Sequence, residues 1–249
     1  MIAVIALAFS GLLVGSFLNV VAHRLPRGES LVRPRSRCPQ CGTQLRAIDN
    51  VPVLSWLALR GRCHHCSAPI SARYPLVELL TAALYAAVIA SQDDAAHIVL
   101  GLLLVTALVP ITLIDLERRI IPNLITGPAA LAAVVAIAAL DADFLPEALI
   151  AGAAGGGFFL VAAILYPRGM GMGDVKLAGM LGLYLGRAVA PAIFIALIAG
   201  VVVGAAVIAR KGAKEGRKTA VPFGPFLALG GIIAFFAGAD IVDAYLDTF

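Results

Sequence analysis

The stretch AAHIVLGLLLVTALVPITLIDLERRIIPN, residues 95–123, decides the fold. From Ala95 to Ile114 it holds no Asp, Glu, Lys or Arg. A run of roughly 20 apolar residues is the length that crosses a hydrocarbon core as a helix. The run then breaks off in Asp115, Glu117, Arg118 and Arg119, with Pro122 close behind. It reads as a membrane span with a charged end, and Asp115 stands on its boundary. A carboxylate forced to mid-bilayer costs on the order of 2.5–3.5 kcal/mol, and less near the interface. Glu117 reads as an interfacial side chain that reaches water. Asp115 has apolar residues before it and Ile120-Ile121-Pro122 shortly after it, so it calls for another reason.

Working outward, the same pattern repeats. The chain is 61% hydrophobic and 14% charged, whereas a soluble domain carries about 25% charged residues. Helices are expected near 2–22, 74–91, 95–116, 122–140, 145–166, 175–186, 188–209 and 223–246. The fold class is therefore an all-α polytopic membrane protein of about eight transmembrane helices, 175–186 being the shortest. A signal peptide is the rival reading of residues 2–22. That segment is long for such a peptide, has no basic stretch before it and ends in His23-Arg24, so a retained span is expected. Pro122, Pro146 and Pro222 fall at or near expected helix starts, where a missing N–H costs little. Gly155-Gly156-Gly157 would let a neighbouring helix approach the fifth span closely.

Charge sets the expected orientation. Of 19 Lys and Arg, nine lie between Arg24 and Arg73 and five between Arg210 and Lys218. Arg118, Arg119, Arg168 and Lys176 complete a set confined to alternate loops, and Arg187 alone lies on the other side. The opposite loops carry Asp93, Asp94, Asp141, Asp143 and Glu147. The basic loops should face the cytoplasm and both termini should lie outside it. This sorting accounts for the net charge of +4 without a nucleic-acid partner, and none is expected.

Residues 24–73 are the one long polar loop. They hold CPQC (Cys38, Cys41) and CHHC (Cys63, Cys66), the only cysteines in the chain. Two CxxC pairs about twenty residues apart match a four-thiolate zinc site. Two disulfides are the alternative, disfavoured in a reducing cytoplasm. Four sulfurs leave the metal no open position, so it should staple the loop rather than react. His64 and His65 are bystanders or outer partners. The expected organisation is a first span at 1–23, a cytoplasmic zinc-binding domain at 24–73 and a membrane domain at 74–249.

A second stretch, RGMGMGDVKL at 168–177, places Asp174 at the start of the sixth span. Asp115 and Asp174 thus fall at the same depth, on the same side, on different helices. Two carboxylates brought together there would share a proton. An ionised member could then take a proton from water while its protonated partner polarises a peptide carbonyl. Gly171 and Gly173 would strip bulk from the approach to Asp174. Lys176 reads as a basic residue directed at head groups, with an ion pair to Asp174 as the alternative. Glu78, about a turn into the second span, is left open between an arginine partner, a packing acid and a second site. Spacing alone leaves peptide hydrolysis level with a proton- or ion-coupled transport pathway. Transport would predict acids near the midplane and an internal repeat, neither of which is visible. A zinc-organised assembly scaffold would leave both aspartates without a task.

The chain resembles the type IV prepilin peptidases, GxGD-type aspartic membrane proteases, nearly end to end. The resemblance rests on GSFLNVVAHRLP (Gly15–Pro26), CPQCG, DNVPVLSWLALRGRCHHC, PISARYPLVELL (Pro69–Leu80), LIDLERRIIPN and GMGD (Gly171–Asp174), in order. It implies that Asp115 and Asp174 are the catalytic pair. It also implies cleavage of the basic leader of prepilins or pseudopilins at the cytoplasmic membrane face. N-methylation of the new terminus with S-adenosylmethionine is implied as well, associated with the large loop. The expected location is the cytoplasmic (inner) membrane, with anionic lipid head groups near the basic loops. No strand–GxGxxG–helix fingerprint occurs in residues 24–73, so no methyl-donor residue follows from sequence.

Overall fold

The structure is a computed structural model that describes residues 2–166, 170–212 and 221–248. Arg168 and the basic residues Lys214, Arg217 and Lys218 lie outside the described residues. The chain divides into two compact units, 1–93 and 94–249.

The first unit pairs two long helices around a loop. Helix α1 spans Ile2–Arg24, α2 is a short turn at Leu54–Ala58, and α3 spans Arg73–Ser91. Helices α1 and α3 pack at very short range. A Cβ on Gly11 would stand 2.7 Å from the Ala82 Cα, and one on Gly15 would stand 2.8 Å from the Glu78 Cα. Gly11 and Gly15 are four apart and so share one face, a spacing that lets membrane helices touch backbone to backbone. Asn19, one turn on and buried, donates from Nδ2 to Gly15 O (3.3 Å) and Tyr74 O (3.2 Å). It thereby fixes the register of α1 against the start of α3.

The second unit is a helical bundle. It contains α4 (Ala95–Arg118), α5 (Asn123–Leu140), α6 (Leu145–Leu165), α7 (Met172–Leu185), α8 (Val189–Lys211) and α9 (Gly224–Leu246). All eight expected helices are present among the described residues, with boundaries shifted by at most three residues. Among the described residues of the chain, six stretches are long and apolar enough to cross a membrane; five lie in this unit, and one of these, Met172–Lys211, runs through α7 and α8. Leu104, Leu108, Ile111, Ile137, Phe159, Leu177, Leu181 and Leu227 form the core. The other faces of these helices leave Leu131, Ile150, Ile164, Phe194 and Val201 exposed, as a lipid-facing surface requires. Gly155 and Gly156 lie against α7, while Gly157 faces open space.

One end of this bundle gathers the residues expected away from the cytoplasm. The Arg187 guanidinium pairs with Asp243 at 3.0 Å, and its backbone N–H donates to Glu147 Oε1 at 2.8 Å. Asp94 caps α4 by accepting the His97 N–H at 3.0 Å and sits 2.6 Å from His97 Nδ1. The cytoplasmic-loop domain expected at 24–73 packs together with the α1–α3 pair. A unit defined by packing therefore includes the second span as well.

Candidate active site and metal centre

Asp115 lies in the last turn of α4 and is 5% exposed. Its Oδ2 accepts the backbone N–H of Gly224 at 2.9 Å. Gly224 is the first residue of α9, and Pro225 follows it without an N–H to offer. The carboxylate therefore serves one of the unpaired amides at a helix start and sits at the positive end of that helix. Arg119, in a left-handed conformation (φ 56°), closes α4 by donating its N–H to Asp115 O. The chain turns there, before Pro122 opens α5.

Asp174 occupies the first turn of α7. Its Oδ2 accepts the Gly171 N–H at 3.3 Å, so the acid caps the helix that carries it. Ile121, in the α4–α5 connection, packs against both neighbourhoods. A Cβ on Gly173 would lie 2.9 Å from Ile121 Cβ, and a Cβ on Gly224 would lie 3.3 Å from Ile121 Cδ1. The same Gly224 Cβ would lie 2.7 Å from Asp115 Oδ2. Three chain segments thus meet around the two acids with no room for an added methyl group.

Gly173 was expected to make room for a substrate; what an added side chain there would meet is the chain's own Ile121. Gly171 faces Asp174, whose Oδ2 would lie 3.3 Å from an added Cβ. Lys176 neither pairs with Asp174 nor stands alone. Its Nζ donates to Asn123 Oδ1 at 2.9 Å, tying the first turn of α7 to the first residue of α5. Tyr184 adds a second tie between these helices by donating to Ala129 O at 2.8 Å. Gly224 was missed in the sequence, because a glycine after Pro222-Phe223 carries no acid, base or ligand to flag it.

The first unit holds a cysteine cluster that could bind a metal ion. The four free thiols of Cys38, Cys41, Cys63 and Cys66 lie within 4.8 Å of one another. A tetrahedral zinc site with Zn–S bonds of about 2.3 Å has sulfur–sulfur edges of about 3.8 Å. The Cys38–Cys66 separation is 3.8 Å. The two knuckles share one backbone pattern. Cys38 N–H donates to Thr43 O and Cys63 N–H to Ala68 O, while Gly42 and Ser67 donate back to Cys38 O and Cys63 O. Gly42 (φ 70°) and Ser67 (φ 57°) occupy the matching left-handed positions. Trp56 braces the second knuckle: its Nε1 donates to Ile70 O at 3.0 Å, and Gly61 lies against its ring. The residues fit a closed, four-sulfur metal site. His64 and His65 stack edge to face with each other and are exposed.

Glu78 receives a definite place. It is 7% exposed and accepts the Val53 N–H at 2.7 Å. Val53 has φ 60° and ψ −52°, and Leu54 N–H reaches back to Pro52 O at 2.5 Å. This is the rarer, positive-φ γ-turn, a strained conformation for a β-branched residue. The buried carboxylate holds that turn in place. Nearby, the Arg46 guanidinium grips Asp49 (3.0 and 3.1 Å) and holds its carboxyl below the usual carboxylate range, locking the turn at 46–50.

Comparisons with known proteins follow this division. Residues 9–92 match the family model of the bacterial peptidase A24 N-terminal domain, and residues 102–208 match that of the type IV leader peptidase family. A protein from Myxococcus xanthus called "Prepilin leader peptidase/N-methyltransferase" is 44% identical over 78% of this chain and 60% of its own length. Proteins of the same name from Aeromonas hydrophila and Pseudomonas aeruginosa are 37% and 35% identical. They cover 96% and 95% of this chain, and 92% and 91% of their own lengths. No solved structure matches the chain. Nothing in these matches favours an ion-coupled transporter.

Proposed function

The chain belongs to the type IV leader peptidase family, and from that premise we propose that it is a bifunctional prepilin-processing enzyme. It cleaves the leader from type IV prepilins or pseudopilins and N-methylates the residue exposed. Relatives that match over nine-tenths of both chains bear the name of both activities. Asp115 and Asp174 are the hydrolytic pair. The observation that supports this reading is the packing of Ile121, from the α4–α5 connection, against both Gly173, the neighbour of Asp174, and Gly224, whose N–H Asp115 accepts.

The chemistry follows from sharing one proton. The ionised carboxylate takes a proton from a water held between the acids, and that water's oxygen attacks the peptide carbonyl. The protonated partner donates to the carbonyl oxygen. Collapse breaks the C–N bond and hands a proton to the departing amine. The Gly224 and Gly171 N–H groups keep one oxygen of each acid occupied, which fixes the direction of the other. Gly171 and Gly173 shape the loop that delivers Asp174.

The four cysteines hold a structural zinc, which supplies no reacting position because all its ligands are thiolates. S-adenosylmethionine is the methyl donor. The protein is a multi-pass protein of the cytoplasmic membrane whose basic ends face the cytoplasm, among anionic head groups, with both termini on the other side. A prepilin fits this placement. Its apolar segment lies in lipid and its basic leader stays in the cytoplasm, so the scissile bond reaches the boundary without carrying charge across.

The test is processing of a prepilin in membranes containing Asp115→Asn or Asp174→Asn. Each variant should lose at least about a thousandfold in cleavage, as removal of one member of a concerted set does. Near-normal processing by either would reject the assignment.

A further inference from the structure

One stretch of the long loop is unlike the rest of it. From Asn50 to Leu59 it carries no Asp, Glu, Lys or Arg, and Arg60 and Arg62 follow directly. Leu54 and Leu57 are 65% and 57% exposed, and three residues apart on α2 they share one face. Ile48, shortly before them, is exposed as well. Trp56 turns the other way, to Ile70 O and to Gly61 beside the second cysteine knuckle. Neighbouring aliphatic side chains left bare mark a surface that meets something apolar.

The bond between Val53 and Glu78 sets the level of this turn. Helix α3 has 19 residues, a rise of about 28 Å, close to a hydrocarbon thickness of about 30 Å. Gln92, Asp93 and Asp94 follow its far end, so Arg73 stands at the opposite boundary. Glu78 is five residues further in, about 7–8 Å below that boundary. Helix α1 agrees. Gly15 lies against the Glu78 backbone, and the charged end at Arg24 comes nine residues later, about 13 Å along the axis. Glu78 accepts the Val53 N–H at 2.7 Å and so holds the turn at its own depth. Helices that lie in a membrane boundary sink about 5–10 Å into it, with Leu and Trp on the apolar face and Lys or Arg on the polar one.

The backbone suits the same medium. Lipid offers no hydrogen-bond partner, so a chain that enters it has to satisfy its own N–H groups. Pro52 has none. Val53 gives its N–H to the Glu78 carboxylate, and Ser55, Leu57 and Leu59 give theirs to Val51 O, Val53 O and Ser55 O. An acid inside a span is costly, and this one takes the amide that the strained turn leaves over.

We infer that residues 51–59 are seated in the lipid leaflet, with Leu54 and Leu57 among acyl chains and Arg60 and Arg62, both exposed, at anionic head groups. Leu76, Leu79 and Leu80 of α3 are exposed around the same level and meet the same lipid. The loop between the first two spans is then a monotopic element. Through Trp56 it holds the second cysteine knuckle against the bilayer surface.

The experiment uses the full-length, metal-loaded protein in lipid nanodiscs. Trp56 is the chain's one tryptophan, so its emission reports on this turn alone. Lipids brominated high on the acyl chains should quench it more strongly than aqueous iodide does. A lipid with a diazirine on its acyl chain, photolysed and mapped by mass spectrometry, should label residues 54–58. Leu54→Asn combined with Leu57→Asn should lose most of that label and gain quenching by iodide, with metal content unchanged. If this variant loses its metal, the label on the wild-type chain decides. No label on residues 54–58 of the wild-type chain overturns the inference, whether iodide reaches Trp56, which puts the turn in water, or does not, which puts a protein surface over the leucines.

Discussion

Asp115 and Gly224 stand 109 residues apart, and yet the Oδ2 of one accepts the N–H of the other at 2.9 Å. The glycine end of this bond tolerates no growth. A Gly224 Cβ would press on that same oxygen at 2.7 Å. The bond fastens the end of α4 to the start of α9, so the acid's direction depends on a residue with no reactive group.

Gly224→Ala should therefore retain the fold and lose cleavage by about tenfold or more, which is about 1.4 kcal/mol of activation free energy. Gly173→Ala should fail for a different reason, its contact with Ile121 at 2.9 Å. Pairing it with Ile121→Ala should restore part of the rate, because two changes at one contact are not additive. Kinetics on the two single variants and the double variant would decide this. Additive losses would show that Ile121 is not what Gly173 accommodates.

The Val53 turn yields a prediction of opposite sign. Val53→Gly removes a β-branched side chain from a positive-φ position and should raise the stability of the first unit by about 1 kcal/mol. Glu78→Ala strips the Val53 N–H of its buried partner and should lower it by about 1–3 kcal/mol. Denaturant unfolding with Trp56 fluorescence, the chain's one tryptophan, reports on this loop. A destabilised Val53→Gly would contradict the strain.

Purified protein should carry about one zinc per chain, and Cys38→Ser or Cys63→Ser should abolish it. Closed thiolate sites contribute directly to folding. Limited proteolysis of metal-stripped protein should then cut between residues 31 and 70, while residues 94–166 remain protected. Cuts spread equally over both units would mean that the metal stabilises more than its own loop.

The turn at 46–50 has a defined pH response. The hydrogen bond from Arg46 holds the Asp49 carboxyl below its ordinary value, which in an unfolded chain is about 3.9. Stabilisation from the pair is thus fully present above about pH 4 and is lost as pH falls through the lowered folded value. Hydrogen exchange at the Arg46 amide, which donates to Asp49 Oδ2 at 3.1 Å, should hold constant from pH 7 to about 4. It should lose protection only below that. Asp49→Asn should abolish this acid transition, and its persistence there would assign the transition to another group.

Much of the architecture was legible in the sequence, for physical reasons. Apolar run length marks spans because a bilayer imposes a length, and the four cysteines announce their site because thiolate geometry imposes a spacing. The acids at 115 and 174 stand out in the sequence because carboxylates in apolar surroundings demand a reason. The packing glycines were harder to read. Gly11 and Gly15 carry a readable four-residue spacing, but Gly173 and Gly224 are explained only by Ile121 and Asp115, which reach them from distant parts of the chain. The bond from Lys176 to Asn123 could not be read, because its partner lies 53 positions away. Glu78 could not be placed at all until the γ-turn it holds was visible.

The helix that carries Asp174 has only 14 residues, a rise of about 21 Å against a hydrocarbon thickness of about 30 Å. Its far end is anchored beside the Arg187–Asp243 pair, so the shortfall is left at the end bearing the acid. A helix about 9 Å short of that thickness, under two turns, would thin the oily barrier at the acid and let solvent approach it. Hydrolysis within a membrane needs such a supply, since lipid carries almost no water of its own.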